Sequence, residues 1–344
     1  MHLGVIVNPH AQRVRSPSFV AELESICRSA PHLVYTFCVT HTPEDLDRAM
    51  RDFESLGVDV LAPCGGDGTM SATLSSAFRT FGNAIPLVLP LAGGTMNTIA
   101  RNLGHRERPD VLLQRFVNRV GKRKDIVETA RGTLFLRTEG EVPFCPKTLR
   151  PRRDAKKATQ ERVGFLASAA MGARFLAAYS ASDTRGLWAA SWLGVRTVAS
   201  CLVPGGGTFA RWLFSPMEAK LVVDGEGRPE TSYRLVLAST IPDVGLGMKV
   251  PWQAGRNPDS FHLVASSLPM LENAKQIPRM LKGEPLVGEP HLDRLVKQAR
   301  LDFPHSEPLV LDGELFCAEN ALLTVGPKLR IVAPQGLEPR TLRV

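Results

Sequence analysis

The chain has 344 residues, with 42 Lys and Arg against 34 Asp and Glu, for a net charge of +8. Its length predicts two domains of roughly 100–200 residues each. An apolar fraction of 44% with 22% charged residues excludes wholesale disorder, and the basic balance favours an anionic partner: nucleotide, nucleic acid or an acidic membrane surface.

Residues 3–7 (LGVIV) are a short apolar run that stops at Asn8-Pro9, which predicts a buried strand and then a loop. Residues 33–39 are β-branched and aromatic and predict a second strand. Leu46, Met50 and Phe53 then recur at helical spacing behind Thr42, Glu44 and Asp45, which suit a helix N-terminus. A third strand over 58–62 leads into Cys64-Gly65-Gly66-Asp67-Gly68-Thr69, and Met70, Leu74, Ala77 and Phe78 continue as a helical stripe. A fourth strand over 85–89 leads into Gly93-Gly94-Thr95-Met96-Asn97 and a further helix. Strands alternating with helices predict a parallel sheet, whose strand-to-helix edge is where ligands bind. Residues 101–124 hold eight Lys and Arg, the last being Lys122, Arg123 and Lys124, against Glu107 and Asp110. They read as a solvated helix face or as a face for anionic lipid or phosphate.

After about residue 125 the pattern changes. Strand-like runs over 125–129, 133–137, 163–169, 218–224, 233–240, 260–265, 292–303, 308–311 and 322–332 dominate, with helical stretches near 171–203 and 269–282. Residues 138–162 carry Lys147, Arg150, Arg152, Arg153, Lys156, Lys157 and Arg162 and read as a mobile basic insertion. The fold class expected is an α/β N-terminal domain with a parallel sheet, residues 1–125, plus a β-rich, mostly antiparallel domain, residues 126–344. The final strand is left open to return to the first domain.

The two glycine-rich turns carry the chemistry. Glycines between a strand and a helix let the backbone approach a phosphate closely and aim N–H groups at it. An acidic residue in such a loop repels phosphate unless a cation intervenes, so Asp67 suggests Mg²⁺, bound directly or through water. A Walker loop is excluded because no G-x-x-x-x-G-K-[ST] occurs, and Gly66-x-Gly68-x-x-Ser71 breaks the dinucleotide fingerprint at its last position. Two such turns on consecutive parallel strands lie side by side and can hold a triphosphate from two directions.

These segments run in a telling order. Asn8-Pro9 follows the first strand, GGDGT stands at 65–69, and Gly94-Thr95-x-Asn97 follows Pro90. Asp125 opens a strand, and Asp312-Gly313-Glu314 lies near the C-terminus. In this order they resemble the diacylglycerol kinase catalytic-domain family of lipid kinases, which includes bacterial soluble diacylglycerol kinase-like proteins and the sphingosine and ceramide kinases. GGDGT alone is shared with NAD kinases; GGDGT followed by G-T-x-N and a late D-G-E is more specific to the lipid kinases.

The resemblance implies an NAD kinase/diacylglycerol kinase-like fold. It also implies ATP- and Mg²⁺-dependent phosphorylation of a primary hydroxyl on diacylglycerol or a related lipid such as a sphingoid base. It implies a nucleotide site from Asn8, Pro9, Gly65, Gly66, Asp67, Gly68, Thr69, Gly93, Gly94, Thr95 and Asn97, and metal contacts from Asp67 and Asp125. It implies catalytic roles for Asp312 as general base, Asp67, and Glu314 as nucleotide or metal partner. Asp312-Gly313 also reads as a hairpin turn, and Asp224-Gly225-Glu226 repeats the triplet where a plain turn is expected. The chain departs from the family pattern at Gln12, where a glycine is usual, at Thr98, where an acid is usual, and at Gly245-Leu246-Gly247-Met248. An NAD kinase-like phosphotransferase and a catalytically silent lipid-binding homologue stay open as alternatives.

Partners follow from the same reading. A lipid substrate and peripheral contact with an anionic membrane surface are expected, nucleic acid is not, and a homodimer is left open. Residues 186–203 carry Trp188, Trp192 and Arg196 and read as packed core, a lipid-pocket wall or a helix at a membrane interface, not a span. Six cysteines without a C-x-x-C pair suggest reduced thiols, and the eight histidines show no metal-ligand spacing. The N-terminus lacks a signal-peptide pattern, so a cytoplasmic, peripherally membrane-associated protein is expected.

Overall fold

The computed structural model describes residues 1–121, 126–145, 150–151, 156–182, 186–203, 205–288 and 291–334. The chain divides into two compact units, Met1–Arg131 with Lys328–Val344, and Gly132–Pro327. The first unit runs β1 (His2–Val7), α1 (Pro17–Arg28), β2 (Val34–Val39), α2 (Pro43–Ser55), β3 (Val60–Gly65) and α3 (Asp67–Phe81). It continues with β4 (Leu87–Val88), β5 (Leu91–Ala92), α4 (Thr98–Asn102), α5 (Pro109–Gly121) and β6 (Glu128–Arg131). The second unit runs β7 (Leu134–Cys145), β8 (Arg150–Pro151), β9 (Ala158–Gly164), β10 (Leu166–Ala170), α6 (Met171–Ser180), α7 (Leu187–Leu202) and α8 (Thr208–Leu213). The short strands β11 (Met217–Glu218), β12 (Lys220–Val223), β13 (Glu226–Gly227) and β14 (Ser232–Tyr233) follow. Then come β15 (Leu235–Ser239), β16 (Phe261–Ser266), α9 (Met270–Lys275), α10 (Ile277–Lys282), β17 (His291–Val296), β18 (Gln298–Leu311) and β19 (Glu314–Val325). Strand β20 (Leu329–Val332) belongs to the first unit.

Among the described residues the first unit's sheet has the order β2-β1-β3-β4-β20-β6, with β5 on β3. All its pairs are parallel except β20 with β6. Leu3, Val5 and Val7 bury one face against Leu23 and Cys27 of α1 and Leu113 and Phe116 of α5. The other face of β1 meets α2 so closely that a Cβ on Gly4 would lie 2.6 Å from the Phe53 ring. Pro43 and a Thr42–Asp45 capping box start α2, as its sequence predicts. Pro63 sits inside central β3, where a missing N–H usually breaks the ladder. Here β4 pairs with Val60 and Leu61 and β5 with Cys64 and Gly65, so the absent donor faces the gap between β4 and β5.

The second unit is built on an antiparallel sheet ordered β17-β16-β15-β10-β18-β19-β7, with β9 and β8 on β7 and β12 on β18. Strand β18 shifts register between Asp302 and Glu307, so its first half pairs with β12 and its second with β10. The α/β and antiparallel halves are thus both present. Five sequence expectations are corrected. Residues 138–145 and 158–162, expected in a mobile insertion, are the arms of β7 and β9, because Leu134, Leu136, Thr138, Val142 and Phe144 are buried while Arg137 and Glu139 are not. Lys147, Arg152 and Arg153 lie outside the described residues, as does the Arg150 side chain. The run 125–129, expected in the β-rich domain, ends in β6, which pairs with β20 in the first unit. The run 322–332 splits into β19 and β20 at Gly326-Pro327, and the strands fall in different units. The run 292–303 splits into β17 and β18, and the run 163–169 into β9 and β10.

Candidate active site

Three loops of the first unit converge at the ends of β1, β3 and β5. The Asn8 N–H donates to the Cys64 carbonyl at 3.0 Å, and the Asn8 amide donates to the Thr69 hydroxyl at 2.8 Å. The Asn8 side-chain oxygen accepts the His10 N–H at 2.9 Å, which turns the chain after Pro9. Gln12, standing where a glycine was expected, accepts the Thr95 hydroxyl at 2.7 Å, and the Arg13 N–H donates to the Gly93 carbonyl at 3.0 Å. The first loop is therefore tied to both glycine-rich turns.

The turns themselves touch. Gly93 and Gly94 both donate to the Gly65 carbonyl, at 2.8 and 3.0 Å. A Cβ on Gly94 would lie 2.4 Å from the Gly66 Cα, and one on Gly65 would lie 2.4 Å from the Thr69 hydroxyl. Only glycine permits this approach. Asn97 is 6% exposed and left-handed at φ 50°, a conformation asparagine tolerates. Its side chain accepts the Gly94 N–H and donates to the Gly94 carbonyl, both at 2.8 Å, so it holds the second turn in shape. Gly66 is the N-cap of α3 and Asp67 its first residue, so Gly68 and Thr69 lie in the first helical turn, where N–H groups lack helical acceptors.

Asp67 joins the two turns. Its carboxylate accepts the Ile99 N–H at 2.8 Å and the Thr98 N–H at 2.9 Å. Burial pushes its carboxyl above the usual range, while the Ile99 and Thr98 donors pull it back. Thr98, where the family pattern has an acid, thus puts its N–H on Asp67.

In the second unit, Asp312 and Gly313 form the two-residue turn between β18 and β19, at φ 47° and 92°. Asp312 is 4% exposed, and its carboxylate accepts the Leu166 N–H at 2.9 Å and the Phe165 N–H at 3.0 Å. That contact sits where β9 ends and β10 begins. A Cβ on Gly164 would lie 2.4 Å from the Asp312 carboxylate. Asp224 forms a matching turn at φ 50° and accepts the Lys297 and Gln298 N–H groups, both at 2.9 Å, but it is exposed. The triplet is a hairpin turn both times; burial separates the two.

Glu314 follows on β19. Sequence reasoning counted Arg162 only among the basic residues of 138–162 and passed over Glu141 and Thr138, which join it beside Glu314. Arg162 binds Glu141 in a fork, with both contacts at 2.6 Å, and stacks 4.6 Å over the Phe316 ring. Thr138 donates to the same Glu141 at 2.6 Å, and the Arg162 Nε lies 4.0 Å from Glu314. Desolvation raises the Glu314 carboxyl, Arg162 opposes the rise and Glu141 adds to it. The Glu314 side chain still keeps 43% of its surface, so solvent screens these effects. Residues 158–164 (ATQERVG) show no alternation, so the sequence carried no local signal for this cluster.

The glycine cradle fits a phosphate chain, because two backbones without side chains meet at Gly66 and Gly94 beside the N–H donors of the first turn of α3, and a Cβ on Gly66 would meet nothing closer than 3.5 Å. The described residues contain no group of three His, Cys, Asp or Glu that could hold a metal ion. Asp125 lies outside the described residues. A single carboxylate at Asp67 fits Mg²⁺ carried in on a nucleotide, since that ion keeps waters and phosphate ligands and needs few from protein.

The matched domain now follows from these loops. Residues 2–129 match the diacylglycerol kinase catalytic domain. The resemblance drawn from the sequence is borne out there. No curated protein matches the chain by sequence. A solved structure presented as a candidate diacylglycerol kinase from Bacillus anthracis str. Sterne is similar at TM-score 0.65 and 13% identity, over 97% of each chain. A diacylglycerol kinase from the same organism is similar at TM-score 0.59 and 12% identity, over 98% of each chain. At that identity the likeness is one of fold, and it extends past the catalytic domain through the second unit.

Proposed function

We propose that the protein is an ATP-dependent lipid kinase that phosphorylates a primary hydroxyl of diacylglycerol or a related lipid. The observation that carries this is the cradle of three loops in the matched domain, closed by the Gly66–Gly94 approach beside the N-terminus of α3. Gly65, Gly66, Gly68 and Thr69 would meet the phosphates through backbone N–H groups and a hydroxyl, with Gly93, Gly94 and Thr95 on the other side. Asn8, Pro9 and Asn97 would keep the loops in register. Mg²⁺, when bound with the nucleotide, would neutralise charge developing on the transferred phosphoryl group. Asp67 would hold the ion directly or through water, and Asp125 would assist. Asp312 would accept the hydroxyl proton of the lipid, and Glu314, steadied by Arg162, would contact the nucleotide or its metal.

The test is incubation with γ-labelled ATP, Mg²⁺ and mixed micelles carrying diacylglycerol, a sphingoid base or ceramide, beside a parallel reaction with NAD. Label on a lipid hydroxyl, lost in Asp67→Asn while the fold is kept, is the expected result. Label on NAD would make it an NAD kinase-like phosphotransferase. No transfer to any acceptor would leave a silent lipid-binding homologue.

A further inference from the structure

Helix α7 is built the wrong way round for a surface helix. Such a helix normally turns charged and polar residues outward. Here Trp188 is 90% exposed, Trp192 69%, Val195 58% and Leu202 80%. At 100° per residue these four side chains, with exposed Ala199, fall within an arc of about 80°. They run along about 21 Å of helix. The opposite face is the one that packs: Ala190, Leu193, Thr197 and Cys201 are buried. Cys201 lies in a cluster with Ala210, Leu213 and Phe214, so the outward stripe is not a displaced core face.

Along the chain, the helix and the segment that follows it carry charge of one sign. From 184 to 217 the sequence has no Asp or Glu, and its charged residues are Arg185, Arg196 and Arg211. Arg196 stands at about 80° from the centre of the stripe, exposed and stacked 4.3 Å over the Phe209 ring. An apolar stripe with two tryptophans, with arginines on α7 and α8 and a Glu272–Lys275 ion pair on the α9 helix that packs against it, has the make-up of a helix that lies in the plane of an anionic bilayer. Indole rings favour the headgroup level, and arginines meet lipid phosphates. A second copy of the chain fits less well. A strip about 21 Å long and about 10 Å wide falls well short of the roughly 800 Å² that a partner buries in a stable complex. No helix of the described residues is long and apolar enough to cross a membrane.

We propose that α7 is a membrane-docking helix that seats Trp188, Trp192, Val195 and Leu202 in the headgroup region of an anionic bilayer. The purpose of this contact rests on the lipid-kinase reading; its chemistry does not.

The test uses the full chain with phosphatidylcholine vesicles, with and without phosphatidylglycerol. The wild type should sediment with the anionic vesicles and show blue-shifted tryptophan emission. Trp188→Ser with Trp192→Ser should lower partitioning by about tenfold or more at an unchanged circular dichroism spectrum. Arg196→Ala with Arg211→Ala should weaken binding to the anionic vesicles alone, and added salt should abolish that difference. Wild-type protein that ignores vesicles, or a tryptophan pair variant that partitions like wild type, would overturn the proposal. So would a dimer that the tryptophan substitutions dissolve in the absence of vesicle binding. Turnover of a short-chain diacylglycerol in monomeric solution should be the same in wild type and the tryptophan variant. Failure of the wild type to phosphorylate it, and likewise a short-chain sphingoid base and ceramide, would sink the kinase reading and leave the vesicle result standing.

Discussion

Asp312 and Asp224 hold the same kind of turn in the same way, by accepting two backbone N–H groups from the start of a neighbouring strand. Asparagine keeps one acceptor oxygen and tolerates positive φ, so each turn should survive Asp→Asn at a cost of about 1–2 kcal/mol. The chemistry should separate them. Asparagine cannot take a proton, so Asp312→Asn should lower kcat by about 10²–10⁴-fold. Asp224→Asn, in an exposed turn, should leave kcat near wild type. Measuring both kcat and the denaturation midpoint for the pair isolates the base from the turn. Equal activity of the two variants would remove Asp312 from the proposed mechanism.

The elements that make the cradle depend on spacing between backbones. A methyl group on Gly94 would sit 2.4 Å from the Gly66 Cα, which is backbone and cannot swing aside, whereas one on Gly66 would lie 3.5 Å from the Gly94 Cα. Gly94→Ala should therefore push the two turns apart, cost about 1–3 kcal/mol and abolish the ATP-induced rise in melting temperature. Gly66→Ala should keep the fold near wild type, although it crowds the phosphate space. If both variants melt alike, the close approach does not govern stability. These glycines are legible in the sequence because G-G-D-G-T and G-G-T fall directly after apolar strand runs. What joins them is not legible. The Asp67 contact to the Thr98 N–H, the Gln12–Thr95 bond and the left-handed Asn97 arise only when β1, β3 and β5 lie side by side. The second unit is harder still. Its run over 163–169 looks continuous, yet it breaks at Phe165 because Asp312, 147 residues away, takes that N–H. Local periodicity carries no trace of such a partner.

At the scale of the molecule, the first unit is closed by a strand from the far end of the chain. Strand β20 lies between β4 and β6, parallel to one and antiparallel to the other. A side-chain pin holds it: His105, 2% exposed, lies with its Nε2 2.8 Å from the Val332 carbonyl. If Nε2 carries the proton, it donates there, and protonation would have to place a second proton on a buried ring. Burial accordingly lowers the His105 pKa below its usual 6.5, with the Val332 bond opposing. The sign of the pH effect follows. Below pH 6.5 the unfolded chain takes up a proton that the folded chain refuses, so stability falls with pH until the lowered native value is passed. The melting temperature of the wild type should decline from pH 6.5 downward, ahead of carboxylate titration. His105→Gln cannot titrate there and keeps a donor for Val332, so its melting temperature should be flatter between pH 6.5 and 5. Parallel curves for the two proteins would show that another group sets the acid limb. A flatter curve would assign it to the pin that fastens β20 into the first unit's sheet.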